Sequence, residues 1–414
     1  RPLLTWVRGY SFDSGALRGI RVLDLTRVLA GPFATQTLAD AGAEVIKVEE
    51  PTRGDDTRQW GPPFAERGAG EDMAAYFMTA NRNKRSLAID IRTKAGQEVL
   101  HKLARQSDVV VENYRHHGLA KYALDYASLR KLNPALVYCS ITGFGQTGPR
   151  ADQPGYDFLI QALGGLMSIT GDPTTGPVKV GVAVTDLFTG LYACIGILAA
   201  LRHRDATGEG QHVDVALMDS QLSMLANQAM NTLVTNESPG PMGNAHPNIV
   251  PYQAFTAADG ELVVAVGNDS QFRKLCGALD RPDLARDDRY RSNEDRVRHR
   301  DTLVAALQST FQTETRRFWE EALLACGVPV GPINTVRDAL DEPHTSARGM
   351  VVRTEDALPN DPPLLGNPLK FSASPVRYRT APPYLGQHTQ SILSELGYTP
   401  AAIAALSSDG VIKI

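Results

Sequence analysis

A strand–helix–strand order repeats along the first half of the chain and limits the folds open to it. The alternation runs through strand segments at 20–25, 44–49, 86–91, 108–112 and 135–142, with helical spacing at 33–41, 93–106 and 126–132 between them. Strands that alternate with helices pair in parallel through right-handed crossovers. The pattern therefore predicts a doubly wound α/β layer over about the first 200 residues.

The second half has a different pattern. Residues 150–185 are rich in Gly, Pro, Thr and Asp and predict a long surface connection, and a strongly apolar helix follows from about Asp186 to Arg204. After a loop at 236–248, segments 252–255 and 261–266 flank the turn Asp259–Gly260 and predict a hairpin. Helical spacing then covers 270–279 and 301–325. These segments predict a smaller α+β region, with the break near 225–245.

Composition excludes several classes of protein. The 414 residues are 43% hydrophobic and 21% charged, as in an ordinary globular protein. The formal charge of −4 argues against a nucleic-acid partner, because such proteins are usually basic. The longest uncharged apolar run, 187–201, is shorter than the roughly 20 residues that span a membrane, so we expect a buried helix and no membrane partner. The four cysteines are far apart, which argues against zinc ribbons and disulfide frameworks.

Two local motifs are typical of ligand sites but lack the required context. Gly143, Gly145 and Gly148 form a GxGxxG after a strand, yet no helical spacing follows to receive a pyrophosphate. We therefore interpret them as a glycine-rich loop and do not expect a bound NAD. His116 and His117 are adjacent, but neighbouring side chains diverge on an extended chain and no third ligand has suitable spacing. No metal site is predicted.

Asp186 has two compatible interpretations. A Thr-Asp pair before an apolar helix is a common N-cap arrangement. The same position stabilises an ionised carboxylate at a helix N-terminus, where an apolar surround leaves it poorly hydrated. Such a carboxylate can attack an activated acyl group.

Longer strings match one known family in the same order from about Gly19 to about Leu396. They are LDLTRVLAGPFATQTLADAGAEVIKVE, NRNKRSLAIDIRTKAG, VVVENY, SITGFGQTGP, PGYDFLIQALGG, TGEGQHVDVALMDS, GVPVGPI and PPYLGQHT. The chain therefore resembles the family III CoA-transferases, the group of formyl-CoA transferase and carnitine CoA-transferase. Two further strings, GDDTRQWGPPF and IVPYQAF, are similar to those of members acting on succinate and hydroxymethylglutarate or glutarate.

The resemblance implies a Rossmann-like large domain with a parallel sheet and a smaller α+β domain, in two subunits that interlock as a homodimer. On this chain, residues 1–225 would form the first part of the large domain and 226–330 the small domain. Residues 331–414 would be a return segment that completes the large domain.

The resemblance also implies the residues of the site. Asp186 would be the catalytic nucleophile, and coenzyme A would take part as a substrate, with no cofactor bound permanently. CoA contacts carry over to Val28, Leu29, Ile89, Asp90, Ile91, Arg92, Asn113, Tyr114 and Lys121. The chain departs from the family at Glu50, where members often carry Arg, and at His116-His117-Gly118, where they carry Pro-Gly.

The implied reaction moves CoA from an acyl-CoA, with succinyl-CoA as the expected donor, to a carboxylic acid, expected to be a dicarboxylate such as glutarate. It passes through an aspartyl-CoA thioester on Asp186. A distal carboxylate needs a cationic or hydrogen-bonding partner, for which Arg82 and His246 are candidates. Gly243 is a candidate for binding the developing oxyanion. We expect a cytoplasmic protein, with the mitochondrial matrix as the alternative.

Two other functions stay open from the sequence. Racemases of 2-methylacyl-CoA share the fold, but they carry His where this chain has Tyr156, and a Tyr with a pKa of about 10 is a poor acid/base. The second alternative is a catalytically silent CoA-binding paralogue, which the presence of Asp186 argues against.

Overall fold

The computed structural model describes residues 15–66 and 72–414, which divide into two compact units. The first unit comprises the described residues up to Gly164 together with Gly181–Met224 and Pro343–Ile414. The second comprises Gly165–Val180 and Leu225–Glu342. The predicted division assigned 165–180 to the large domain and 331–342 to the return segment, whereas the structure has both in the second unit.

The first unit is built on a six-stranded parallel sheet. Its strands are β1 (Arg21–Asp24), β2 (Glu44–Glu49), β3 (Lys84–Ala88), β4 (Val109–Glu112), β5 (Val137–Thr142) and β6 (His212–Ala216). Their order across the sheet is β3-β2-β1-β4-β5-β6, and every neighbouring pair is parallel. The order reverses between β1 and β4, and in such sheets ligands bind in the crevice at the carboxyl ends of the strands beside that point. The predicted α/β fold with a parallel sheet is confirmed.

Helices cover both faces of this sheet. They are α1 (Ala30–Asp40), α2 (Lys94–Gln106), α3 (Tyr126–Leu132), α4 (Asp157–Leu163), α5 (Val184–Thr207) and α6 (Leu217–Met224), with shorter or later helices at Ala75–Met78, Pro343–Ala347, Thr389–Glu395 and Pro400–Ser408. One hydrophobic core joins α1 and α5 to the sheet, and the other joins α2 and the two C-terminal helices to its opposite face. Because both faces are covered, β4 is buried at every position.

The C-terminal segment bonds directly to β3 and the residue before it. The backbone N–H of His388 donates to the carbonyl of Ser86 at 3.0 Å, and that of Asn83 donates to the carbonyl of Thr380 at 2.9 Å. Four very short strands form two ladders elsewhere in the unit, Phe64–Ala65 with Met73–Ala74 and Val351–Val352 with Leu364–Leu365.

The second unit contains an antiparallel sheet with helices. Its strands are β7 (Tyr252–Ala257), β8 (Gly260–Ala265) and β9 (Val330–Pro332), in the order β9-β8-β7. Its helices are Leu166–Ile169, Ala226–Thr235, Asp269–Ala278, Pro282–Arg286, Asn293–Arg298, Arg300–Phe311, Arg316–Ala325 and Val336–Asp341. The predicted helical stretch 301–325 is thus two helices, because the Thr315 hydroxyl accepts the N–H of Phe318 and starts a new one.

The prediction of a long surface connection over 150–185 is wrong in part. Helices α4 and Leu166–Ile169 lie within it, and α5 already begins at Val184. Each of the first two helices has seven residues or fewer and is flanked by Gly164 and Gly165. Too few turns exist for an apolar periodicity to show in the sequence.

Helix α5 combines a buried and an exposed apolar face. Within 15–66 and 72–414 it is the one helix whose length and composition would let it cross a membrane. Ala193, Ile197 and Ala200 are buried on the sheet side, as in the core helix of a globular protein. Leu191, Ile195 and Leu198 are exposed on the other side.

Candidate active site

A cavity of about 220 Å³ lies at the carboxyl ends of β1 and β4, where the strand order reverses. Five of the predicted site residues line it together: Val28, Leu29, Asn113, Tyr114 and Asp186. Arg27, Arg115 and His116 add positive or ionisable groups to its wall. The topology therefore brings residues from distant parts of the chain to the place where this fold binds ligands.

Close packing of two helices sets the position of Asp186. Asp186 is the third residue of α5, and Gly190 lies one turn further along the same helix. A Cβ on Gly190 would lie 2.6 Å from the carbonyl oxygen of Ala30, the first residue of α1. Only a glycine allows this approach without a shift. The start of α5, and with it Asp186, is thus held beside the first turn of α1.

The carboxylate of Asp186 has an unusual environment. Burial raises its pKa and the nearby charge of Asp157 raises it further, to about 7. Among the described residues, none donates a hydrogen bond to it, so its oxygens are not committed to a structural partner. Burial and the charge of Asp157 thus oppose the ionised form, which the helix N-terminus favours.

The N-cap interpretation gave Asp186 the role of accepting a backbone N–H at the start of α5, and in the structure Asp157 accepts it. One carboxylate oxygen of Asp157 accepts the N–H of Thr185 in the first turn of α5 at 2.8 Å, and the other accepts the side chain of Gln161 at 2.8 Å. The N-cap residue itself is Ala183, which makes no side-chain bond. The two carboxylates therefore differ: Asp157 is bound at both oxygens, whereas Asp186 lines the cavity and accepts no hydrogen bond from the residues of 15–66 and 72–414.

The side chain of Asn113 forms hydrogen bonds with the protein backbone. Its side-chain oxygen accepts the N–H of Arg27 at 2.9 Å, and its side-chain nitrogen donates to the carbonyl of Arg27 at 2.7 Å. This pair of bonds ties the end of β4 to the loop that follows β1. Beside it, burial raises the pKa of Glu112 to about 7, although the N–H of Tyr114 and the hydroxyl of Ser140 favour its ionised form.

A residue without a predicted role, Asp55, holds the same loop from the other side. Both of its oxygens lie 3.2 Å from the backbone nitrogen of Val28. Its carboxylate also accepts the ammonium of Lys47 at 2.8 Å, and both side chains are fully buried. Burial alone would raise the pKa of Asp55, but Lys47 and the N–H of Thr57 lower it to about 2. The sequence signal that could have pointed to Asp55 is the Gly-Asp pair shortly after the strand that carries Lys47.

The remaining predicted CoA contacts lie outside the lining of this cavity. Ile89 is buried and bridges Ile412, and Arg92 donates to Asp90 at the end of β3. The side chain of Arg92 is mostly exposed. Lys121 lies in the turn Ala120–Tyr122, with its ammonium 4.9 Å from the centroid of the Tyr122 ring. Ile91 belongs to the second hydrophobic core of the unit.

Arg82 is committed to the protein interior. Its guanidinium binds both oxygens of Asp40 and the carbonyl of Leu365, and it is 4% exposed. It does not line the cavity. The cationic string that contains Arg82 is therefore a buried structural element in this structure, and we do not carry Arg82 into the proposed substrate site.

Gly243 and His246 both belong to the second unit. Gly243 has a φ of 58° and donates its N–H to the carbonyl of Gly171 at 2.8 Å, so that donor is occupied in this conformation. The Nδ1 of His246 accepts the N–H of Asn248 at 3.0 Å. Burial lowers the pKa of His246, and the charge of Arg300 lowers it further.

The glycine-rich and histidine motifs have structural partners. No helix follows Gly148 before Asp157, while Gly143 packs against Gly155 in the cavity wall. His116 binds Asp152 at 3.0 Å, and its ring lies against that of His117 with 3.7 Å between centroids. Over 15–66 and 72–414, the His, Cys, Asp and Glu side chains form no cluster of three suited to a metal ion.

The chain is similar to members of one family in both sequence and fold. Residues 17–389 match the family described as CoA-transferase family III. The chain is 50% identical over 385 residues to the succinate–glutarate CoA-transferase of Agrobacterium fabrum, covering 92% of this chain and 95% of that protein. It is 43% identical over 397 residues to the human succinyl-CoA:glutarate CoA-transferase, covering 96% and 90%.

A solved structure has the same architecture. The crystal structure of a CAIB/BAIF family protein from Brucella suis superposes with a TM-score of 0.82 at 48% identity, covering 93% of this chain and all of that one. The resemblance drawn from the sequence strings is confirmed. Taken with the parallel sheet and the aspartate beside its switch point, these matches make this chain a family III CoA-transferase, an enzyme whose substrates are an acyl-CoA and a carboxylic acid.

Proposed function

We propose that the enzyme transfers CoA from succinyl-CoA to glutarate and that Asp186 is its nucleophile. The substrate pair is that of the relatives from Agrobacterium fabrum and human, which this chain matches over nearly its full length. The observation that carries the assignment of the nucleophile is the carboxylate of Asp186, which lines the cavity without a hydrogen-bond donor among the described residues.

The chemistry needs a carboxylate of this kind. An oxygen of the Asp186 carboxylate attacks the thioester carbonyl of succinyl-CoA. The C–S bond breaks, CoA leaves as a thiolate, and a mixed succinyl–aspartyl anhydride remains. The thiolate then attacks the aspartyl carbonyl, and the anhydride C–O bond breaks to release succinate and leave an aspartyl-CoA thioester. A glutarate oxygen attacks this thioester, and its C–S bond breaks to give a glutaryl–aspartyl anhydride and CoA thiolate. The thiolate then attacks the glutaryl carbonyl, and the anhydride C–O bond breaks to give glutaryl-CoA and free Asp186. A carboxylate whose two oxygens each already accept a hydrogen bond, like that of Asp157, would be a weaker nucleophile.

The cavity wall has the charge to receive the anionic parts of CoA. Arg27 and Arg115 line it, together with His116. Phosphate oxygens bind such donors strongly. We propose that the loop of Val28 and Leu29, with Asn113 and Tyr114, faces the thioester end of CoA. Asp90, Arg92 and Lys121, at the ends of neighbouring elements, are proposed contacts for its nucleotide end, and Gly243 and His246 stay predicted substrate contacts.

We further propose a homodimer without nucleic-acid, membrane or permanently bound cofactor partners, located in the cytoplasm. Support for the dimer comes from the exposed face of α5, where Leu191, Ile195 and Leu198 form an apolar strip. A strip of this kind on a globular protein marks an association surface. The net charge of −4 and four unpaired cysteines are compatible with the cytoplasm.

Trapping of the covalent intermediate tests the proposal. The enzyme is incubated with succinyl-CoA, treated with hydroxylamine, and mapped by peptide mass spectrometry. We expect a hydroxamate on the peptide that contains Asp186. Glutarate added before hydroxylamine should discharge the aspartyl-CoA thioester and so reduce the amount of hydroxamate. Asp186→Asn should give no adduct while retaining its fold, and Asp157→Asn should still give one.

Other results would change the assignment. An adduct that forms with a different acyl-CoA, but not with succinyl-CoA, would keep the mechanism and replace the donor. Exchange of an α-proton into deuterated water without any adduct would indicate a racemase. Full turnover by Asp186→Asn would remove Asp186 from the mechanism.

A further inference from the structure

The loop between β1 and α1 contains a residue in an unfavourable backbone conformation. Val28 has a φ of 71°, in the left-handed region that β-branched residues rarely adopt. It lines the cavity directly before Leu29. Strained residues of this kind persist only where the surroundings hold them, and they cluster at functional sites.

The group that holds Val28 is the carboxylate of Asp55. Its two oxygens share the N–H of Val28 at 3.2 Å each. Among the described residues, no other acceptor binds that N–H. Asp55 is in turn fixed by the ammonium of Lys47 at 2.8 Å and by the hydroxyl and N–H of Thr57 at 2.8 and 3.0 Å. Lys47 also donates to the carbonyl of Thr26 at 3.0 Å, so the network holds the loop at two points.

The conformation of this loop determines the wall of the cavity beside Asp186. Asn113 fixes Arg27 on one side of Val28, and α1 begins two residues after it. The first residue of α1, Ala30, is the one that packs against Gly190, one turn from Asp186. A change of φ at Val28 would rotate the chain between these two fixed points. It would therefore move backbone that lines the same cavity as Asp186.

We propose that Asp55 is a positioning residue for CoA transfer, which holds Val28 in its left-handed conformation and so keeps the 27–29 loop in place beside Asp186. The proposal rests on the proposed roles of Asp186 as nucleophile and of this loop as a contact for CoA.

Substitutions at Asp55 and Val28, alone and together, distinguish a positioning role of Asp55 from a role in stability alone. Asp55→Asn should slow formation of the aspartyl-CoA adduct by about 10- to 100-fold, since small displacements at a reacting centre have effects of this size. Glycine adopts a positive φ without strain, so adding Asp55→Asn to Val28→Gly should slow adduct formation by less than about threefold relative to Val28→Gly itself. The double variant Asp55→Asn/Val28→Gly should recover at least about tenfold of the lost rate, although its melting temperature stays low.

A matched control uses a second carboxylate bound to a backbone N–H. Asp108 accepts the N–H of Arg21 at 2.8 Å and the guanidinium of Arg204 at 2.7 Å, at the other end of the sheet. Asp108→Asn should lower the melting temperature and leave the rate of adduct formation unchanged. Loss of rate in Asp55→Asn that Val28→Gly does not restore, with both variants folded, would overturn the proposal. An undiminished rate in Asp55→Asn would overturn it as well.

If Asp55→Asn does not fold, Thr57→Val decides the question, because it removes only the hydroxyl that orients Asp55. We expect a loss of about threefold to tenfold in the same rate, restored by Val28→Gly. An unchanged rate contradicts the proposal. Failure of the proposed function is recognised separately, since Asp186→Asn would then still form the adduct.

Discussion

At the scale of single residues, two aspartates close together in the first unit have opposite environments. Asp157 is bound at both oxygens and caps a helix, whereas Asp186 is half-buried with no donor among the described residues. Asp157 belongs to a string shared with the family, whereas Asp186 was suggested by its position before an apolar helix. The assignment of the cap to Asp157 required the structure, because the two residues are 29 positions apart.

The pKa of Asp186 predicts how the rate depends on pH. Only the ionised carboxylate attacks the thioester, so the rate of adduct formation at low succinyl-CoA should rise with pH through an apparent pKa of about 7 and then level off. Asp157→Asn removes the neighbouring charge and should shift this profile to lower pH. Initial rates between about pH 5.5 and 8.5 check both, and a rate that is independent of pH would contradict them.

The same pKa predicts that the nucleophile destabilises the folded protein. Its folded-state pKa is raised above that of the unfolded chain, so stability from this group is complete below about pH 4 and is lost as the pH rises through about 7. Asp186→Asn should therefore stabilise the protein by about 2 kcal/mol at pH 8, and by less as the pH falls. Thermal melting measures this effect. Asp205→Asn, an exposed change on the same helix, should alter stability by less than about 0.5 kcal/mol.

At the scale of the secondary-structure elements, the bounds of helices and strands were predicted well where apolar residues recur with a clear period. Strand 44–49 and helix 126–132 have the predicted bounds, because each alternates or repeats its apolar residues over its whole length. Helix α4 was missed, since its seven residues leave Phe158 and Leu159 exposed and give no apolar stripe. Short elements are specified by tertiary contacts more than by local pattern.

The packing of α5 on α1 predicts a large effect from a small substitution. Gly190→Ala places a Cβ within 2.6 Å of the Ala30 carbonyl, so α5 must move away from α1. We expect a loss of about 1–3 kcal/mol in stability together with a lower rate of adduct formation. The control is Gly277→Ala, at an exposed helical position where an added Cβ would have no atom within 4 Å. This substitution should stabilise the protein by about 0.5–1 kcal/mol. Equal effects of the two substitutions would show that the close approach does not matter.

At the scale of the whole molecule, the exposed strip on α5 predicts association. Ile195 is 60% exposed in the isolated chain, and a charge there would oppose burial against a second subunit. Ile195→Asp should convert a dimer to a monomer in analytical ultracentrifugation, with a circular dichroism spectrum like that of the parent. Lys94→Asp, an exposed change on α2, should leave the sedimentation coefficient unchanged. A parent protein that sediments as a monomer would contradict the proposed dimer.

Sequence patterns were sufficient to predict the α/β class and the family and to propose Asp186 as the nucleophile, because periodicity and motif strings are local properties of the chain. Which groups share the cavity became clear from the three-dimensional arrangement. It assigned Asp157 to the helix cap, Arg82 to the interior and Asp55 to the loop at Val28. Hydrogen bonds and burial depend on distances between residues far apart in the chain, and the strand order that brings them together is not encoded in any one segment.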